Sequence, residues 1–284
     1  MYLSRYRDPA TGAARVGLET ADGQFHELAC TDLPELLQQD AVAMSKIVSA
    51  PGVVVASPVV WLPPVAGRTE VWAAGVTYLR SREARVEESR VADVYSLVYE
   101  ADRPELFFKS VAWRVHTDGD PIGIREDSTL NVPEPEVAVV VNAGGEIIGY
   151  TICNDVSSRS IEGANPLYLP QAKVYAGACA LHRRIRLAEG FVAGELAISC
   201  AVVRGTVTVW SGTSNTHRMR RSFSDLVSWA FRGDVYPDGM VLSTGTGIVP
   251  DMGFTLQAGD TVTIEVTGIG SLSNVVRVGT AALR

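Results

Sequence analysis

Paired cysteines, long apolar runs and an excess of basic residues are all missing from this sequence of 284 residues. Its four cysteines stand apart without Cys-X-X-Cys spacing, so the sequence offers neither the usual zinc-binding pattern nor a disulfide framework. No stretch approaches the roughly 18 uninterrupted apolar residues of a membrane helix. Residues 1–20 also lack the apolar core of a signal peptide. We therefore expect a cytoplasmic protein with free thiols and no membrane contact.

The charge balance limits the partners that the protein can bind. A formal charge of −7 and a pI near 5.2 do not supply the basic face that nucleic acid or an anionic membrane requires. Apolar residues make up 46% of the chain and charged residues 20%, which is typical of a globular protein. A small anion still fits this composition, because a local cation or a metal ion decides its binding.

A cluster of prolines before position 65 predicts a boundary between a small N-terminal lobe, residues 1–65, and a larger domain, residues 66–284. The lobe carries one helical pattern, over 33–48. Two more helical patterns follow, over 80–98 and 222–231. Short apolar runs bounded by Gly, Asp and Asn make up most of the larger domain and are typical of strands. The sequence therefore predicts a mixed, β-rich α+β fold with flanking helices.

The most informative segment predicts a β-hairpin. Val137–Val141 and Ile147–Cys153 are apolar strand patterns on either side of a glycine-containing turn. If the two strands pair strictly from that turn, Asp155 comes close to Glu134 but on the opposite face of the sheet. A β-bulge or a shift of one residue is needed to aim Glu134, Glu136 and Asp155 at one point.

Three carboxylates at one point indicate a bound cation. Glu134 and Glu136 are two residues apart, so their side chains share one face of a strand. Taken alone, this pair is also the ordinary pattern of solvated residues at the start of a strand. With Asp155 added, the charges would repel one another unless a cation or protons neutralised them. Oxygen ligands without His or Cys favour Mg²⁺, with Mn²⁺ and Ca²⁺ next.

Six motifs follow one another between about residues 70 and 280. In chain order they are Gly75-Val-Thr-Tyr78, Arg103-Pro-Glu105-Leu-Phe-Phe-Lys109, Glu134-Pro-Glu136, Gly149-Tyr-Thr-Ile-Cys-Asn-Asp155-Val-Ser-Ser-Arg159, Asn165-Pro-Leu-Tyr-Leu-Pro-Gln-Ala-Lys173 and Ser243-Thr-Gly-Thr246. Together they resemble the fumarylacetoacetate hydrolase family, and the fifth motif is most similar to its 2-keto-3-deoxy-D-arabinonate dehydratase branch. The resemblance implies the family's rolled mixed β-sheet and a homodimer or homotetramer.

The resemblance also implies a role for each matching residue. The implied metal ligands are Glu134, Glu136 and Asp155, the implied catalytic groups are Lys173 and Glu105, and the candidate substrate contacts are Thr246, Tyr78, Arg82 and Gln171. Thr244 is an alternative to Thr246 as the contact of the substrate carboxylate.

Two positions depart from the family's pattern. Ser81 stands three residues after Tyr78, where the carbon–carbon hydrolases of the family usually have a histidine. Without this imidazole there is no obvious general base to make hydroxide, so hydrolysis is disfavoured. The segment Ala180-Leu-His182 replaces a Gly-Pro of the family, which alters a turn.

The resemblance implies a metal-dependent hydro-lyase of pentose catabolism that converts 2-dehydro-3-deoxy-D-arabinonate to 2-oxoglutarate semialdehyde. A 2-keto acid chelates the metal ion, which stabilises the enolate formed when a C3 proton leaves. Glu105 and Lys173 are the candidates for base and acid, in either order. The alternatives are an acylpyruvate hydrolase or oxaloacetate decarboxylase of the same family, and a non-catalytic binding protein on this fold.

Overall fold

The structure is a computed structural model that describes residues 1–55, 60–88 and 92–280. For residues 85, 87, 88 and 92–95 it describes the backbone alone. None of the described helices is long and apolar enough to cross a membrane.

The N-terminal residues form short strands and two short helices. The elements β1, β2, β3, α1, α2 and β4 are Tyr2–Arg7, Ala14–Glu19, Phe25–Glu27, Leu33–Leu37, Ala41–Ser49 and Trp61–Leu62. The single helix predicted over 33–48 is therefore wrong, because two helices occupy this span. Asp40 begins the second helix as its N-cap, since its side chain accepts a hydrogen bond from the backbone N–H of Ala43.

The middle of the chain contains the predicted hairpin and a pair of helices. The elements β5, α3, α4, β6, β7, β8, β9, β10 and β11 are Glu70–Gly75, Leu79–Glu88, Ala92–Glu100, Glu105–Val111, Ile122–Ile124, Asn131–Val132, Pro135–Val141, Ile147–Asp155 and Ser157–Ser158. The predicted helix over 80–98 corresponds to α3 and α4, and residues 89–91 of that span lie outside the described residues.

The remaining elements are mostly strands. The elements α5, α6, β12, β13, β14, β15, α7, β16, β17 and β18 are Arg159–Ala164, Leu169–Lys173, Cys179–Leu181, Arg184–Leu187, Ala197–Arg204, Val207–Asn215, Phe223–Ala230, Met240–Ser243, Thr261–Val266 and Gly270–Val278. The helix predicted over 222–231 is confirmed. Ser222 caps it by accepting a hydrogen bond from the backbone N–H of Asp225.

Two large sheets organise the described residues. The first has the order β3-β2-β1-β13-β10-β9-β16-β5-β6, with β12 paired to β10 and β4 to β1, and it is mixed because β16 pairs in parallel with β5. The second has the order β15-β14-β17-β18-β7. The predicted mixed, β-rich fold is confirmed. Strand β1 of the N-terminal lobe pairs with β13, and the domain boundary near residue 65 stays a prediction.

Strand β9 lies inside the first sheet and is buried along its whole length. Ala138 and Val140 pack into one apolar cluster with the N-terminal lobe, whereas Val139 and Val141 pack into another with helix α7. A strand covered on both faces is apolar at successive positions, which explains its run of valines. Acidic residues at the start of such a strand are consequently buried as well.

Candidate active site

The β9–β10 hairpin brings the three predicted metal ligands together. A β-bulge between Ile147 and Gly149 shifts the pairing of the two strands by one residue. Asp155 therefore lies opposite Glu134, and its backbone N–H donates to the Glu134 carbonyl at 3.0 Å. The three acids could converge only with a shift of one residue in this pairing, and the bulge supplies it.

The three acids form one buried cluster. One carboxylate oxygen from each of Glu134, Glu136 and Asp155 lies within 4.8 Å of the other two, and each residue is at most 3% exposed. They border a cavity of about 20 Å³. Other polar or aromatic side chains that line this cavity are those of Ser81, Glu105, Phe107, Glu162, Lys173 and Thr246.

Buried cations compensate Glu134 and Asp155. Lys173 Nζ donates to Glu134 Oε2 at 2.6 Å, to Asp155 Oδ2 at 2.9 Å and to Ser157 Oγ at 2.7 Å. Lys109 Nζ lies 2.5 Å from Asp155 Oδ1. Arg159 Nη2 lies 3.3 Å from Glu134 Oε1. Burial of these charges is tolerated because each is paired and hydrogen-bonded.

Glu136 has a different environment. Its Oε2 accepts hydrogen bonds from Ser243 Oγ at 2.5 Å and from the backbone N–H of Gly245 at 2.7 Å. Within the part of the chain that the structure describes, no Lys, Arg or His forms an ion pair with it. Burial, and next the charge of Asp155, raise the pKa of Glu136 well above its ordinary value. An added cation would relieve this cost, so the donor set fits a hard divalent ion.

Glu105 and Lys173, the predicted catalytic groups, line the same cavity. Glu105 begins β6 opposite Gly75 of β5. Its carboxylate lies directly over this glycine, because a Cβ added at Gly75 would stand 2.0 Å from Glu105 Oε2. Val76, the next residue, has a φ of 52°, which is rare for a β-branched residue and marks strained backbone at the cavity.

Of the two candidate threonines, Thr246 lines the cavity, whereas Thr244 is not among the described lining residues. The Thr246 hydroxyl donates to the carbonyl oxygens of Pro135 at 2.9 Å and Ile248 at 3.1 Å, so it also fixes its own loop. The hydroxyl of Tyr78 is buried and has no hydrogen-bond partner among the described residues. Burial, and next the charge of Glu136, raise the pKa of Tyr78.

Tyr78 is not among the described residues that line the cavity, and the remaining two candidate substrate contacts do not line it either. Arg82 Nη1 is 3.6 Å from Glu100 Oε1, and its guanidinium stands 5.0 Å from the centre of the Tyr99 ring. Gln171 is exposed, and its backbone carbonyl accepts a hydrogen bond from Arg125 Nη1 at 3.4 Å. Neither residue is among those described as lining the cavity, and their roles stay predictions.

Several polar groups that contact the acids or Lys173 received no role from the sequence. They are Lys109, Arg159, Ser157, Ser243 and the backbone N–H of Gly245. Lys109 carried a usable signal, because a lysine inside the apolar run of β6 must find a buried partner. No sequence signal marked the backbone N–H of Gly245, because every residue except proline has such a donor.

Known proteins match most of the chain. The family model described as fumarylacetoacetate (FAA) hydrolase C-terminal matches residues 70–277. A "probable 2-keto-3-deoxyxylonate dehydratase" of Haloferax volcanii is 50% identical over 206 residues, which cover 72% of this chain and 71% of that protein. A 2-dehydro-3-deoxy-D-arabinonate dehydratase of Saccharolobus solfataricus is 42% identical over 209 residues, which cover 72% of this chain and 70% of that protein.

A solved structure is similar over almost the whole chain. It is a 2-keto-3-deoxy-D-arabinonate dehydratase complexed with magnesium and 2,5-dioxopentanoate. It has a TM-score of 0.86 and 31% sequence identity, and the match covers 98% of this chain and 99% of that one. The similarity therefore includes the N-terminal lobe, which lies outside the match to the family model.

Proposed function

Because this chain belongs to the fumarylacetoacetate hydrolase family, we propose that it is a metal-dependent hydro-lyase that dehydrates a five-carbon 2-keto-3-deoxy sugar acid. The observation that carries the proposal is the contact of Lys173 with two of the three clustered carboxylates. An amine that can transfer a proton thus touches the groups that would hold a hard ion. The names of the two relatives with 42% and 50% identity support the same reaction.

Glu134, Glu136 and Asp155 would hold the ion. Their all-oxygen donor set suits Mg²⁺ first, and Mn²⁺ or Ca²⁺ next. When bound, such an ion acts as a Lewis acid toward the keto and carboxylate oxygens of a 2-keto acid. The magnesium in the similar dehydratase supports the choice of metal.

Dehydration requires a base at C3 and an acid at C4 of the substrate. Lys173 and Glu105 line one cavity, so one of them accepts a C3 proton and the other protonates the C4 hydroxyl, which leaves as water. The product of this step then loses a proton from C5 and gains one at C3, which gives an enol at C4 and C5. The enol tautomerises to the aldehyde by gaining a proton at C4 and losing its hydroxyl proton. The products are one water and 2,5-dioxopentanoate, which balances the substrate.

The cavity disfavours hydrolysis of a carbon–carbon bond. Ser81 lines it at the position where the resemblance places the histidine of the family's hydrolases, and the Ser81 hydroxyl donates to the Tyr78 carbonyl at 2.7 Å. No histidine is among the described residues that line the cavity. Without an imidazole to generate hydroxide, loss of water from the substrate is the favoured reaction.

We further propose a homodimer or homotetramer that works in the cytoplasm in pentose catabolism. These points rest on composition and on the family resemblance.

After conversion to a 2-keto-3-deoxy acid, a five-carbon sugar acid keeps one stereocentre, at C4. The enzyme therefore has a single configuration to select.

The direct test is a turnover assay with purified protein and Mg²⁺. Both enantiomers of 2-keto-3-deoxypentonate, which differ in configuration at C4, are supplied, and formation of 2,5-dioxopentanoate is followed by mass spectrometry. Acylpyruvate and oxaloacetate are assayed in parallel, and Glu136→Gln and the metal-free protein are the controls. We expect turnover of one enantiomer that requires the metal and is lost in Glu136→Gln.

Two results would contradict the proposal. Consumption of acylpyruvate or oxaloacetate alone would mean that the same site performs hydrolysis or decarboxylation. No turnover together with no metal binding would mean that the fold serves as a binding protein.

A further inference from the structure

Lys109 joins three elements of the site from a fully buried position. It lies on β6 four residues after Glu105, and 0% of its side chain is exposed. Its Nζ donates to the backbone carbonyl of Lys173 at 2.6 Å and to that of Val156 at 3.2 Å, and it pairs with Asp155 Oδ1. One ammonium group therefore ties the strand of Glu105 to the strand of Asp155 and to the end of helix α6.

A β-bulge marks the position of this side chain. Phe108 pairs with Trp72 and Ser110 pairs with Val71, so Lys109 is an extra residue in β6 with no partner in β5. Bulges of this kind re-aim a side chain and are frequent next to active sites. The backbone of β6 is thus interrupted at the residue that reaches the acids.

The composition of the chain points to the same residue. The sequence contains 22 arginines and only three lysines, Lys46, Lys109 and Lys173. Lys46 is exposed, and the other two contact the acidic cluster. A compact ammonium with three donors suits three acceptors around one point, whereas a planar guanidinium does not. Lysine is therefore used where this geometry is required.

We propose that Lys109 is a positioning residue for the reaction of this site, an inference that rests on the proposed function. It holds the main chain of Lys173 and the carboxylate of Asp155 at the spacing that places Lys173 Nζ between Glu134 and Asp155. Lys109 is not among the described residues that line the cavity. It acts through Lys173 and Asp155 and does not contact the substrate.

The N-terminal lobe offers a matched control. Arg5 is also a buried cation, and it donates to the backbone carbonyls of Pro63 at 2.8 Å and Val65 at 2.7 Å. It also pairs with the carboxylate of Asp32 at 2.6 Å. Arg5→Met therefore removes contacts of the same kinds as Lys109→Met, two with backbone carbonyls and one ion pair, but away from the acids.

We expect Lys109→Met to lower kcat about 10–100-fold, with KM changed less than about threefold. Arg5→Met should lose a comparable amount of thermal stability and keep kcat within about twofold of the wild-type value. Hydrogen exchange gives a readout that does not depend on turnover. The amides of residues 169–174 should exchange faster in Lys109→Met and at the wild-type rate in Arg5→Met.

A second variant covers the case in which Lys109→Met does not fold. Lys109→Arg keeps the charge but not the geometry, so the positioning role predicts a loss of kcat of at least about tenfold here too. A kcat within about twofold of wild type in a folded Lys109 variant would overturn the inference. If the wild-type protein turns over none of the keto acids, the proposed function fails. Unchanged exchange over residues 169–174 in Lys109→Met would then reject the positioning role separately.

Discussion

Asp155 lies directly opposite Glu134 across the β9–β10 hairpin, with its backbone N–H on the Glu134 carbonyl at 3.0 Å. The bulge between Ile147 and Gly149 creates this pairing, because unbulged strands would place the two side chains on opposite faces. Both carboxylates consequently reach the ammonium of Lys173. A local irregularity near the turn thus determines the geometry of acids several residues away.

The first prediction concerns Glu136→Gln in the absence of metal. Burial and the charge of Asp155 raise the pKa of Glu136, so the folded state favours its protonated form and its ionisation destabilises the protein. This cost is absent below the ordinary value of 4.5 and grows as the pH rises above it. We expect metal-free Glu136→Gln to be more stable than the wild type by about 2 kcal/mol at pH 7. Urea unfolding in a chelator at pH 7 and pH 4 measures this difference.

The matched control for that measurement is Glu189→Gln, since Glu189 is exposed and should show no such difference at either pH. A Glu136→Gln variant that is less stable than the wild type at pH 7 would mean that the hydrogen bonds from Ser243 and Gly245 outweigh burial of the charge.

The second prediction concerns metal binding. An ion that binds only the folded protein stabilises it by about 2.7 kcal/mol at a concentration of 100 Kd, which corresponds to a rise in Tm of about 5–10 °C for a chain of this size. We expect Mg²⁺ to produce this rise in the wild type and not in Glu136→Gln. Differential scanning calorimetry with and without a chelator checks it. An equal rise in both proteins would place the ion away from Glu136.

The third prediction concerns Gly75→Ala. The new Cβ would stand 2.0 Å from Glu105 Oε2, so the carboxylate must move. A misplacement of about 1 Å lowers turnover about 100-fold, and we expect a loss of kcat of that order with little change in metal affinity. Gly233→Ala is the control, because a Cβ there meets no atom within 4 Å. Full activity in Gly75→Ala would show that Glu105 takes no part in the proton transfers.

The sequence was sufficient for the hairpin and for the acids on it. Runs of β-branched residues predicted both strands, and the need to bring Asp155 to the face of Glu134 implied the bulge before its position was known. The length of the helices was not predictable in the same way. The apolar pattern over 33–48 continues through a break at Asp40, because the cap interrupts the backbone without interrupting the pattern.

The contacts around the acids come from distant parts of the chain. A local sequence pattern cannot predict such contacts. Lys109 reaches Asp155 from another strand, and the backbone N–H of Gly245 reaches Glu136 from a loop more than 100 residues away. The roles of Arg82 and Gln171 as substrate contacts stay predictions. Arg82 pairs with Glu100, Gln171 faces solvent, and neither is among the described residues that line the cavity.

The last prediction concerns Asp238, which accepts hydrogen bonds from residues far from it in the sequence. Its carboxylate accepts hydrogen bonds from Arg68 Nη2 at 2.8 Å and from Gln38 Nε2 at 3.1 Å. The hydrogen bonds from Arg68 hold the pKa of Asp238 at about 2, below the ordinary 3.8. The stabilisation is therefore complete above the ordinary value and is lost as the pH falls through about 2. We expect Asp238→Asn to destabilise the protein by about 2 kcal/mol at pH 7 and to be as stable as the wild type near pH 2. Urea unfolding across this pH range measures the difference. Asp234→Asn is the control, because Asp234 is exposed. An equal loss at both ends of the range would show that packing, and not the charge, is responsible.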